Sequence, residues 1–153
     1  MTGDPSTRLL ARLAGLLVAF NGGSLDVPDG LIERRCVFRL NGVAYEDTLG
    51  RPVSEPLVRL VGRGPAAYRL LAQALHYAVP DAAVSLERVA TSQTNGGGLV
   101  TGCAFLRGTL RTGGDIEASA DVALVADEGG AITEIACVVD ERVLHAIEEA
   151  RRG

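Results

Sequence analysis

At Pro80 the spacing of apolar residues changes from three and four to two, and any fold open to this chain must accommodate both halves. Upstream, Asp4-Pro5 reads as a helix start: a side-chain cap, then a proline at a position that needs no amide donor. Leu9, Leu10, Leu13, Leu16, Leu17 and Phe20 then share one helical face, and Asn21-Gly22-Gly23 ends it. A short second helix is expected over 27–35. Pro65 opens another, with Ala66, Leu70, Leu71, Ala74, Leu75 and Ala78 at helical spacing. Between these helices lie CVFRL, Asn41-Gly42 and VAYED, and Asn-Gly between two β-prone runs is a hairpin signal. An irregular stretch with Pro52 and Pro56 follows, over 48–64.

Downstream come four β-prone runs: AAVSLERVATS, LVTGCAFLRGTL, DIEASADVALVA and AITEIACVV. They are separated by the turn sequences NGGG, RTGG and DEGG. Breaks this short imply antiparallel neighbours. A last helix is expected over 141–152. Helices first and a meander afterwards indicate the α+β class. The expected architecture is one domain over 1–153, a curved antiparallel sheet with N-terminal helices forming a cone-shaped pocket.

Composition removes several classes of function. The chain is 47% hydrophobic and 22% charged, the profile of a globular protein with a core. Its net charge is −4 and its arginines are scattered, so no nucleic-acid partner is expected. All fifteen basic residues are arginine. Without lysine, neither a Schiff base nor a Walker-type phosphate loop can operate. Cys36, Cys103 and Cys137 are odd in number and show no C-x-x-C spacing, which favours buried thiols in a reducing cytoplasm over a disulfide framework. His76 and His145 stand far apart without a third ligand, so no metal is expected. The run Leu9 to Phe20 is interrupted by Arg12 and is too short to span a bilayer; no membrane segment is expected.

Two aspartates could carry chemistry. Asp121 lies in the apolar strand ASADVALVA. Buried there, its carboxyl would be kept neutral; with Glu117 on the same face, it could equally face solvent. Asp47 ends VAYED before TLGRP, where it could point into a pocket mouth or simply cap the turn. Cys103 and Cys137 read as small core residues, His76 as favouring the helix dipole or facing water, and Arg34, Arg35, Arg151 and Arg152 as solvated.

From about Arg8 to Val139 the layout resembles the nuclear-transport-factor-2-like superfamily, a cystatin-like α+β roll that includes ketosteroid isomerases, SnoaL-type polyketide cyclases and polyether epoxide hydrolases. Its most specific piece is Tyr45-Glu46-Asp47-Thr48-Leu49-Gly50-Arg51-Pro52. This is similar to the E-D-P-hydrophobic-G-x-P segment of ketosteroid isomerase-like members, whose aspartate is the general base. The resemblance implies that Asp47 is that base and that Asp121 matches the neutral oxyanion-hole aspartate. It further implies a pocket lined by Phe20, Tyr45, Tyr68, Leu71, Phe105, Ile135 and Cys137, no cofactor, and a homodimer.

There are departures. The first helix reads Leu16-Leu17-Val18-Ala19 where isomerases place an oxyanion-hole tyrosine, leaving Tyr45, Tyr68 or Tyr77 as substitutes. Tyr68-Arg69-Leu70-Leu71-Ala72 lacks the acid of the epoxide hydrolases, and Cys137 stands about where cyclases carry one. The implied function is a cofactor-free isomerase or cyclase moving a proton on an apolar polyketide or steroid-like carbonyl compound. The alternatives are a non-catalytic small-molecule-binding domain, an epoxide hydrolase or ether cyclase of polyketide biosynthesis, and an assembly role through the outer sheet face.

Overall fold

A computed structural model describes residues 4–44 and 63–153. Asp47 and Tyr45 therefore lie outside the described residues, as does most of the stretch expected to be irregular. Among the described residues, three helices, α1 (Pro5–Asn21), α2 (Gly64–Ala78) and α3 (Glu141–Arg152), accompany six strands. The strands are β1 (Ile32–Leu40), β2 (Val43–Ala44), β3 (Ala83–Thr94), β4 (Gly97–Thr109), β5 (Asp115–Asp127) and β6 (Ile132–Val139). They form one sheet in the order β2-β1-β6-β5-β4-β3.

Helix α1 forms as its spacing requires. The Asp4 carboxylate accepts from the Ser6 hydroxyl at 2.7 Å and the Thr7 amide at 2.8 Å. Those two bonds, the Ser6 bond foremost, hold its pKa down to about 2. The folded value lies below the ordinary 3.8, so the cap contributes fully above that pH and is lost as the pH falls toward 2. Leu9, Leu13, Leu16 and Phe20 are buried against the sheet. Gly98 of β4 makes this seat possible, because a Cβ there would lie 2.7 Å from the Ser6 nitrogen. At its other end the helix is tied to β3 by Asn21, whose side chain donates to the Val84 carbonyl (2.9 Å) and accepts from the Val84 amide (2.7 Å).

The β1–β2 hairpin and the three pairings within β3 to β6 are antiparallel, as the turn sequences require. The sheet is nonetheless mixed, because β1 runs parallel to β6. Some ninety residues separate those two strands, so no local turn fixes their sense, and a parallel neighbour needs only a long connection. Asn41, with φ 51°, turns the hairpin and pins it to β6 by exchanging two side-chain bonds with the Val139 backbone. The helix expected over 27–35 is absent. Gly30 sits at φ 72°, Leu31 donates back to Pro28, and from Ile32 onward the chain is strand. β-branched Ile32 pairs with Ile132, and the sheet wins over a helix that glycine already weakens. One extra residue at Arg88–Val89, with Arg88 at φ 54°, forms a bulge in β3 that adds to the curl of the sheet.

Helices α1 and α2 cover one face of the sheet with two apolar clusters. The first joins Leu9, Leu13 and Leu16 to Phe38, Ala67, Val100, Leu124 and Ile132; the second joins Phe20 to Ala72, Val79, Ile116 and Ala150. Helix α3 closes the second cluster through Val143 and Ile147. Its C-terminal end is held by Arg111, which donates to the Ala150 carbonyl at 2.8 Å and to that of Gly153. The same guanidinium lies 4.4 Å from the Tyr77 ring centroid. Charge-assisted bonds to helix-end carbonyls, discounted here for exposure, should make Arg111→Ala cost about 1–2 kcal/mol. Urea denaturation checks this: an unchanged midpoint would show that the clamp contributes nothing.

Candidate active site

Residues on each strand alternate between a face toward the helices and a face away from them. On β5 the inward set is Ile116, Ala118, Ala120, Val122, Leu124 and Ala126. On β4 it is Val100, Gly102, Ala104 and Leu106, and on β6 it includes Ile135 and Cys137, which pair with Leu124 and Val122. The inward face is thus apolar and carries no carboxylate on these strands.

Tyr68 of α2 packs against both apolar clusters, at the point where they meet. Its hydroxyl oxygen is buried and has no hydrogen-bond partner among the described residues. Burial pushes its phenol pKa up, so the group is a neutral donor. Two turns further along α2, His76 stacks on Phe20 with ring centroids 4.2 Å apart and a tilt of 31°. Its Nε2 is also buried and without a partner among the described residues. Burial raises the Cys137 thiol pKa and drives that of Cys36 up to about 12, so both remain protonated and behave as small apolar groups.

Of the residues expected to line a pocket, Phe20, Tyr68, Leu71, Ile135 and Cys137 are brought to the helix-covered face. Phe105 is not. Counting from inward-facing Val100, it falls on the outer face, opposite Ser119, in a shallow groove with Arg107 and Glu117. Asp121 requires the same correction. It is exposed on the outer face, where it pairs in register with Cys103 and with Val138, itself 59% exposed. The dry, apolar surroundings expected for its carboxyl are not there. The run ASADVALVA is apolar on both faces of the strand, so hydrophobicity alone does not reveal which set points inward.

Asp121 instead borders an open groove of about 430 Å³ with Arg88, Thr101, Cys103, Ala123, Ala136 and Val138. Tyr77, another possible oxyanion donor, is 52% exposed beneath Arg111 and takes no part in the inward face. Sequence reading passed over His76 as a dipole or solvent residue. The available signal was its place on α2, two turns after Tyr68 with the small Ala72 between them.

No protein-family model matches the chain, and no curated protein does. Solved structures match it over nearly its whole length. A SnoaL-like protein from Jannaschia sp. CCS1 superposes with a TM-score of 0.67 at 14% identity, covering 96% of each chain. A SnoaL-like polyketide cyclase from Agrobacterium tumefaciens gives 0.63 at 14% identity, over 90% of this chain and 94% of that one. A steroid delta-isomerase from Pseudomonas aeruginosa gives 0.62 at 17% identity, over 97% of this chain and 90% of that one. The fold is nuclear-transport-factor-2-like.

Proposed function

We propose that this protein is a cofactor-free isomerase or cyclase that moves a proton on an apolar carbonyl metabolite, polyketide or steroid-like, bound on the helix-covered face of the sheet. The observation that carries this reading is the Tyr68 hydroxyl: a neutral donor, buried and without a partner among the described residues, at the meeting point of two apolar clusters. A buried, unspent donor in such surroundings suits an oxygen on which negative charge develops. Tyr68 thereby takes the role that the resemblance had given to Asp121 and to a first-helix tyrosine. A polyketide cyclase and a steroid isomerase share the fold, which supports the reaction class.

In this mechanism Asp47 is the general base. Its carboxylate takes the proton from the carbon next to the carbonyl; the C–H electrons form a carbon–carbon double bond, and the oxygen becomes an enolate held by the Tyr68 O–H. Return of the proton from Asp47 to a different carbon completes an isomerisation. Attack of the enolate carbon on a second carbonyl of the same molecule closes a ring, and the proton goes to the new alkoxide. Solvent deuterium tests the class directly. In deuterium oxide, the protein should accelerate deuterium entry beside the carbonyl of conjugated enones or β-dicarbonyl compounds, followed by proton NMR. If no compound exchanges faster while apolar ligands still bind, the protein is a binding module.

The same reading places the protein in the cytoplasm as a homodimer. No helix among the described residues is long and apolar enough to cross a membrane. The outer face offers an interface: Val138 is exposed there, and Arg88 and Asp121 border one groove without pairing within the described residues. Across a two-fold axis each could meet its opposite on a second copy. Val138→Glu should then convert dimer to monomer in light scattering. A wild-type monomer, or a variant that still dimerises, would reject this interface.

A further inference from the structure

Buried polar atoms in native proteins almost always have partners, so each exception calls for a reason. Two atoms without a partner among the described residues lie on α2: Tyr68 Oη and His76 Nε2. Eight residues separate them, a rise of about 12 Å. Ala72, buried midway between them, adds only a methyl group to the row. Phe20 packs in the same cluster as Tyr68 and Ala72, and its ring is the one on which His76 stacks. Neither polar atom caps a helix, joins an ion pair or bonds to the sheet among the described residues. The row thus runs from a phenol across a small residue to an imidazole, with apolar contacts between.

We propose that His76 is a second polar contact for the ligand, so that the substrate is an elongated apolar molecule with an oxygen function near each end. This rests on the proposed function in one respect: Tyr68 receives the reacting carbonyl. His76 then takes the far oxygen, donating from Nε2 to a ketone or, as the other tautomer, accepting from a hydroxyl. The stack on Phe20 fixes the plane of the ring and hence the direction of that bond. The spacing along α2 suits a fused polycyclic skeleton better than a single ring.

The test is a binding measurement with two steroid probes, androstenedione, which carries a ketone at each end, and its analogue lacking the ring-D ketone. Calorimetry should show wild-type protein binding androstenedione roughly 3–10-fold more tightly, the worth of one net hydrogen bond. His76→Phe keeps an aromatic ring beside Phe20 and should abolish that preference, leaving the monoketone affinity unchanged within about twofold. Tyr68→Phe should weaken both probes together. In the unaltered protein, the Nε2 nitrogen-15 resonance should move with androstenedione and not with the monoketone, a readout independent of how any variant folds. Equal affinity for the two probes, a preference that survives His76→Phe, no binding of either probe, or an unmoved Nε2 resonance would each overturn the assignment. Asp47→Asn protein should bind both probes normally, so a failure of proton transfer is seen in turnover and a failure of this contact is seen in binding.

Discussion

Replacing Asp47 by Asn should lower turnover by roughly 10²–10⁴-fold, the usual loss for a general base, with little change in ligand affinity. The amide copies the shape of the carboxylate and cannot accept the proton, so the effect isolates basicity. The motivation is the segment Tyr45-Glu46-Asp47-Thr48-Leu49-Gly50-Arg51-Pro52, together with the absence of any carboxylate among the inward residues of β4, β5 and β6. If the base is not on those strands, the segment after β2 is the place left by the resemblance to supply it. Once a turned-over enone is in hand, single-turnover rates for the two proteins decide the matter. An Asn variant that keeps most of its rate removes Asp47 from the mechanism.

Tyr68→Phe carries two expected effects of opposite sign. Loss of an oxyanion donor costs about 10²–10³ in kcat. Loss of a buried hydroxyl that has no partner among the described residues should also stabilise the free protein, by about 1 kcal/mol, because the desolvation cost of that group disappears. A residue retained only for packing would leave kcat unchanged. Tyr77→Phe is the control: Tyr77 is exposed, keeps its ring beneath Arg111 as Phe, and should change neither quantity. Paired measurements of kcat and thermal midpoint on the two variants check both halves. A Tyr68→Phe protein that loses stability and keeps its rate would return Tyr68 to the core.

The local elements were legible because local chemistry decides them. Asp4-Pro5 opens α1, Asn41-Gly42 turns the hairpin, the three glycine-rich breaks separate β3 to β6, and α3 covers the span its amphipathic pattern indicates. What the sequence concealed is non-local. The parallel β1–β6 pair joins residues about a hundred positions apart, and Ile32 became strand because Ile132 was there to receive it.

Facing was the costlier ambiguity for the site. Asp121 and Phe105 sit on strands with apolar residues on both faces, so a one-residue difference in phase reverses their direction. His76 was obscured for another reason. A histidine in the last turn of a helix has a ready electrostatic explanation, and only the position of Phe20 shows that its ring is turned into the apolar cluster.

The helix-covered face and the outer groove beside Asp121 are two places among the described residues where a ligand could meet a polar group, and a crystal structure with androstenedione separates them. One carbonyl oxygen should lie within about 2.7–2.8 Å of Tyr68 Oη, with the skeleton running along α2 over Ala72. A steroid found instead beside Asp121 and Cys103 on the outer face, with Tyr68 Oη untouched, would contradict the assignment of the site.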